Sequence, residues 1–252
     1  MKHHAFYATW LLLLGLLTVG CQSHHRHSLP GNPGLQVEQL EPGVWMHTSY
    51  NTFNGVVYPS NGLIVREDDH LVLLDSAWGA EATEALLVWI DKEIGLPVDR
   101  ALSTHFHSDR TGGAAVLEAA GIPVWSHPMT QRLSAEAGNP VPANALSGLD
   151  TAGNTTAFGS VEVLYPGGGH ARDNIMVWLP ERKMLYGGCA VRELVTDNLG
   201  NTADADLAHW PQAIRHAQAA YPQAETVIPG HGEPGGPELL EHMHTLFEDS
   251  GT

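Results

Sequence analysis

The stretch Ala101-Leu102-Ser103-Thr104-His105-Phe106-His107-Ser108-Asp109-Arg110-Thr111-Gly112-Gly113 sets a short apolar strand against a run of metal-competent side chains. In an extended chain alternate residues project to one side, so His105, His107 and Asp109 can converge where strand gives way to loop. Two imidazoles and a carboxylate are good zinc ligands. The competing reading is a polar loop with surface histidines, because a chain with 16 His produces such spacings by chance.

Three other segments repeat the arrangement. Gly167-Gly168-Gly169-His170 follows an apolar strand near 161–165, Gly187-Gly188-Cys189 follows one near 183–186, and Pro229-Gly230-His231-Gly232 follows Thr226-Val227-Ile228. Each time a strand ends, glycines permit a tight turn, and a metal ligand appears. Taken singly, His170 and His231 read equally well as turn or core histidines. Four such coincidences argue for a site with two metals at one edge of a sheet.

Outward from these segments the chain alternates strands and helices. Gly62-Leu63-Ile64-Val65 and Leu71-Val72-Leu73-Leu74-Asp75 read as paired strands around Glu67-Asp68-Asp69. Helical spacing of Ala82, Ala85, Leu86, Trp89 and Ile90 predicts a helix over 80–94 that Gly95 and Pro97 end. Further helices are expected at 113–120, 128–137, 207–220 and 237–247, and strands at 123–125 and 174–179. Interleaving of this kind predicts an α/β layered fold. No composition break divides the chain after residue 35.

The chain has 252 residues, 43% of them hydrophobic, with 12 Lys and Arg against 28 Asp and Glu and a formal net charge of −16. That length and apolar content support a large buried core. So acidic a surface repels phosphate backbones, and nucleic acid is not an expected partner.

Residues 1–21 read as an export signal: Lys2, then a nearly unbroken apolar run from Phe6 to Val19, too short to span a bilayer. The run closes on Thr18-Val19-Gly20-Cys21. Small residues before Cys resemble a bacterial lipoprotein signal, with Cys21 acylated; ordinary cleavage near Gly20 is the alternative. The expected location is the periplasm, with or without a lipid anchor to the outer membrane through Cys21. Residues 22–34 read as a flexible tether carrying His24, His25 and His27, and 35–252 as the folded domain. Cys189 then remains without a disulfide partner, a thiol open to reactivity or metal binding.

The segments VYPSNGLIV at 57–65, DSAWGAEAT at 75–83, IGLPVDRALSTHFHSDRTGG at 94–113, LYGGCAVREL at 185–194, NTADADLAHWP at 201–211 and VIPGHGEPGG at 227–236 together resemble the subclass B1 metallo-β-lactamases, and most of all the VIM-type enzymes. The resemblance implies an αβ/βα sandwich, the metallo-β-lactamase fold, with the active site along one edge of the two packed sheets. It implies a monomeric hydrolase of small-molecule β-lactam antibiotics using two Zn²⁺ per chain. His105, His107 and His170 would hold one zinc, and Asp109, Cys189 and His231 the other. The three-imidazole site would leave a position for water ionised near pH 7, a hydroxide nucleophile that Asp109 can orient.

The same resemblance assigns supporting roles. Arg192, three residues after Cys189, would bind the substrate carboxylate, although VIM-type members often lack a cation there; a guanidinium suits that task. Asn201 would point at the lactam carbonyl, or be an ordinary turn residue. Arg110 and Asp75 would support the metal loops from behind. Phe53, Tyr58 and Trp78 would form an apolar floor and flap, Phe53 exposed in a polar loop and Trp78 more fixed. Thioester, lactone and nucleic-acid hydrolases that share HxHxD usually follow it with His and bridge their metals with a later Asp; here Arg110 and Cys189 stand instead. A non-catalytic zinc-binding lipoprotein, collecting metal with His24, His25 and His27, would have no use for Arg192 or the Phe53 loop.

Overall fold

The computed structural model describes residues 1, 27–29, 32–53 and 55–251. Residues 2–26, which hold the rest of the expected export signal together with Cys21, His24 and His25, lie outside the described residues. Two strands, β1 (His27–Leu29) and β2 (Asn32–Glu41), pair antiparallel and reach into the segment expected to be a tether. The folded part therefore starts before residue 35. A strand at the edge of a sheet is held through its backbone, so it needs no apolar periodicity of its own.

The sheet continues through β3 (Val44–Phe53), β4 (Val56–Glu67), β5 (His70–Leu74), β6 (Val98–Ser103), β7 (Val124–Ser126) and β8 (Asn144–Ala145), eight strands in chain order. Pairing is antiparallel as far as β5 and parallel from β5 to β8. Parallel neighbours need crossovers, supplied by α1 (Ala80–Trp89) with its π-helical extension Ile90–Ile94, by α2 (Ser108–Thr111) and α3 (Ala114–Ala119), and by α4 (Pro128–Ala137). The second sheet runs β13-β12-β11-β10-β9, from β9 (Thr155–Phe158), β10 (Val161–Leu164), β11 (Met176–Leu179), β12 (Met184–Gly188) and β13 (Thr226–Pro229). Its single parallel pair, β12 with β13, is bridged by α5 (Trp210–Ala220), and α6 (Glu238–Ser250) closes the chain.

Three apolar clusters fix the layers. Leu63, Val65, Val72, Leu102, Val163, Val177 and Tyr186 pack between the sheets. Ile64, Leu73, Leu86, Ala101 and Leu117 join the first sheet to α1 and α3, and Met176, Leu185, Trp210, Ile214, Leu240 and Met243 join the second to α5 and α6. Alternate residues of one strand serve opposite clusters, as Leu63 and Ile64 do, which is the period-2 pattern of a strand buried on both faces. The result is the αβ/βα sandwich expected from the sequence. The carboxyl ends of β6, β12 and β13 meet at one edge, where an α/β sheet offers its loops to a ligand. Among the described residues no helix is long and apolar enough to cross a membrane.

Candidate metal centre

Each ligand loop leaves a strand end and is tied down by its neighbours. After β6, the backbone N–H and hydroxyl of Thr104 donate to the two carboxylate oxygens of Asp75, at 2.7 and 2.8 Å. This fixes the chain just before His105. Asp75 is fully buried with φ +63, a left-handed conformation unusual outside glycine, and His47 Nε2 donates to its carbonyl at 3.2 Å. Burial pushes the Asp75 carboxyl up, against Arg110 and the hydrogen bonds it accepts.

The His170 loop is closed by the segment leading into α5: Asp206 N–H donates to Gly169 O at 2.8 Å. A Cβ on Gly168 would come within 2.6 Å of the Asp206 carboxylate, so glycine is required there. The His231 loop is held by Asn61, whose Nδ2 donates to Pro229 O at 3.1 Å and Gly232 O at 2.7 Å.

These loops bring six side chains together. His105 Nε2 lies 3.0 Å from His107 Nδ1, and His107 Nδ1 lies 3.1 Å from His170 Nε2. Beside them, Cys189 Sγ is 3.2 Å from His231 Nε2 and 3.6 Å from Asp109 Oδ2, and His231 Nε2 is 3.4 Å from Asp109 Oδ2. His105, His170 and Cys189 also have ligand atoms within 4.8 Å of one another, so the two sets adjoin. Three imidazole nitrogens this close cannot satisfy one another with protons. Burial, and then the nearby His107, hold His105 far below the usual histidine range and His170 at about 3, leaving lone pairs free at neutral pH. Convergent imidazoles beside a carboxylate and a thiol are a donor set that fits zinc.

Arg110 is the hub behind the second set. Its fully buried guanidinium donates to Cys189 Sγ (2.9 Å), Gly230 O (2.8 Å), Tyr186 Oη (2.9 Å) and Asn61 O, and lies 2.9 Å from Asp109 Oδ2. Tyr186 donates in turn to Asp75 at 2.7 Å. Burial opposes charge on Asp109, yet Arg110 holds its carboxyl well below the usual range. For His231 burial is outweighed by Cys189 and Asp109, which push it up to about 10 in the metal-free chain.

The model of the Metallo-beta-lactamase superfamily matches residues 55–231, a span that contains all six candidate ligands. The chain belongs to the metallo-β-lactamase superfamily. It is an enzyme of that kind. A "Metallo-beta-lactamase type 2" from Bacillus sp. (strain 170) is 40% identical over 214 residues, 84% of this chain and 81% of the relative. Among solved structures, the metallo-β-lactamase from Pontibacter korlensis is 44% identical with a TM-score of 0.80, covering 85% of this chain and 99% of that one. The metallo-β-lactamase FIM-1 from Pseudomonas aeruginosa, solved in a mono-zinc form, is 36% identical with a TM-score of 0.82, covering 88% and 98%.

The other residues that the resemblance pointed to flank these candidate ligands. Arg192 is half-buried, with its guanidinium against Gly200 and its Nε without a partner, and burial draws its pKa down. Asn201 is exposed, its Oδ1 accepting from Ala203 N–H at 3.2 Å, the turn arrangement named above as its alternative reading. Trp78 is tied at both ends: its backbone N–H donates to Ser49 Oγ at 2.8 Å, its Nε1 to Ser108 Oγ at 3.3 Å, and its ring stands T-shaped to His231.

Phe53 does not sit in a loop. It ends β3 and pairs with Val56 at the start of β4, with Gly55 at φ +79. Asn-Gly favours two-residue turns, so the ribbon keeps its pairing to the tip. Phe53 (66% exposed), Val56 (51%) and Tyr58 (44%) share a face by register with Ser49 and Ser60. Those two serines bond Trp78 N–H and Asp109 O, so this face is the one turned to the metal loops.

Four supporting residues were not singled out from sequence: Asn61, Tyr186, Trp210 and Asp204. Asp204 Oδ2 accepts from His107 Nε2 at 3.0 Å, orienting that ring with Nδ1 toward the cluster. It lies three residues past Asn201 in a segment already quoted, but nothing local marks an exposed Asp as the partner of a distant histidine.

Proposed function

We propose that this enzyme hydrolyses the β-lactam amide bond of penicillins, cephalosporins and carbapenems with two zinc ions per chain, and so confers antibiotic resistance. Within the superfamily it reads as a subclass B1 member nearest the VIM type. The observation that carries this is the pair of adjoining ligand sets, three imidazoles beside a carboxylate, a thiol and a fourth imidazole, at an open sheet edge. Bound zinc supplies Lewis acidity and a water acidic enough to ionise near neutral pH.

The remaining chemistry belongs to the chain. Asp109, kept anionic by Arg110, accepts a hydrogen bond from the attacking water and aims it at the lactam carbon. The Asn201 amide N–H donates toward the lactam carbonyl oxygen, where negative charge develops. Arg192 meets the carboxylate beside the fused ring with a charge-assisted bond. Phe53, Tyr58 and Trp78 cover the apolar parts of the substrate and exclude water. We read the chain as an exported, periplasmic monomer, anchored to the outer membrane where Cys21 is acylated.

Hydrolysis of a chromogenic cephalosporin, followed before and after a chelator and after zinc is restored, tests the reading. Loss and recovery of activity are expected. Turnover that survives chelation sinks the metal role. Hydrolysis of a thioester or lactone with none of the cephalosporin points to a different hydrolase, and zinc binding without hydrolysis to a storage protein.

A further inference from the structure

Trp210 is the first residue of α5, fully buried, and it touches the loops of both ligand sets. On one side its ring meets the edge of His170, centroids 5.9 Å apart and planes at 65°. On the other its indole N–H donates to Ala190 O at 2.9 Å. Cys189 and Ala190 are the central residues of a tight turn closed by Val191 N–H to Gly188 O at 3.1 Å, so the Ala190 carbonyl sets how that turn is rotated. The residue is anchored as well: its backbone N–H donates to Asp206 O at 2.9 Å, Asp206 N–H donates to Gly169 O at 2.8 Å, and Phe247 packs T-shaped against the indole.

We propose that Trp210 is a positioning residue that locks the Cys189 turn to the His170 loop, so that the thiol is presented to the second metal only while the first ligand set is in place. The proposal rests on the two-metal reading. A buried indole N–H forfeits its desolvation free energy unless it is paired, so the bond to Ala190 is kept throughout the native state. Groups at this remove from a metal tune affinity about 10- to 100-fold.

Cobalt replaces zinc as a visible probe. Its charge-transfer absorption with a thiolate reports Cys189, while its weaker d–d bands grow as cobalt enters either set, so d–d intensity that appears ahead of the thiolate band reports the histidine set. Trp210→Phe keeps an aromatic ring against His170 and removes the N–H. The d–d bands should then develop at the parental cobalt concentration, while the thiolate band should need about tenfold more metal. A thiolate band at the parental midpoint overturns the proposal, and so does equal weakening of both signals, which marks general loosening. If the parent itself gives no thiolate band, the metal reading has failed, whatever the variant does. Should Trp210→Phe not fold by near-ultraviolet circular dichroism, Trp210→benzothienylalanine removes the N–H alone, and the same two midpoints decide.

Discussion

Arg110 places a positive charge in a fully buried space shared with Asp75, Asp109 and Cys189. Removing one partner of a buried ion pair leaves the other uncompensated, at a cost of about 3–5 kcal/mol. Arg110→Ala should therefore lower the unfolding free energy of the metal-free protein by about that much in urea titrations. A loss below about 1 kcal/mol would show the hub to be dispensable. Lysine keeps the charge but not the planar fork that reaches Cys189, Gly230 and Tyr186 together, so Arg110→Lys should recover only part. Arg192 makes the opposite kind of bet, on function. Arg192→Ala should reduce kcat/KM by about ten- to a hundredfold on a β-lactam carboxylate, from a charged hydrogen bond of roughly 1.5–3 kcal/mol. The reduction should shrink on the esterified substrate, and equal reductions on acid and ester would mean that Arg192 acts through packing against Gly200. At this scale the six candidate ligands stood out in the sequence because His170, Cys189 and His231 each follow a strand and a glycine turn, while His105, His107 and Asp109 alternate at a strand end. Asn61, Tyr186 and Trp210 were not, since their partners stand far away in the chain and an Asn, a Tyr or a Trp in an apolar segment looks like any other.

The β3–β4 ribbon shows what a single element contributes. Its tip carries exposed apolar side chains on the face turned to the metal loops, and its base is anchored by Ser49, Ser60 and Asn61. Phe53 would touch the substrate equally in ground and transition states, so Phe53→Ala should raise KM severalfold and leave kcat nearly unchanged. Steady-state kinetics on one penicillin would expose the error if kcat falls instead. The ribbon was misread as a loop because Tyr50-Asn51-Thr52-Phe53 and Val56-Val57-Tyr58-Pro59 lack a clean apolar alternation. Backbone pairing from Phe53 to Val56 extends the hairpin without needing one. The same reason hid β1 and the start of β2. Helices fared better: α4 lies at Pro128–Ala137 as expected, and Gly95, at φ +70, stops the α1 extension where the sequence suggested.

Across the whole molecule, the two sheets are joined at the end away from the metals by an ionic latch. Glu67, at the end of β4, accepts from the N–H and hydroxyl of Ser160 in the β9–β10 turn, and pairs with Arg100, whose guanidinium lies 5.0 Å over Phe158. Burial opposes its charge, but Ser160 and Arg100 hold its pKa below the ordinary glutamate value. A depressed folded pKa gives stability that is present above the unfolded pKa and lost as pH falls through the folded one. The stability gap between the parent and Glu67→Gln should thus close on acidification below about pH 4.5, and a gap independent of pH would remove the latch from the account. The layered plan was legible because strands and helices alternate along most of the chain; the latch was not, because it joins segments 93 residues apart. What the sandwich delivers at its other edge is two adjoining sets of candidate ligands, and the proposal that both hold metal can be met head-on by counting zinc. Equilibrium zinc binding by Cys189→Ser, measured beside the parent, should give about one ion where the parent holds two, since the three imidazoles do not depend on the thiol. Two ions at parental affinity in the variant would contradict it.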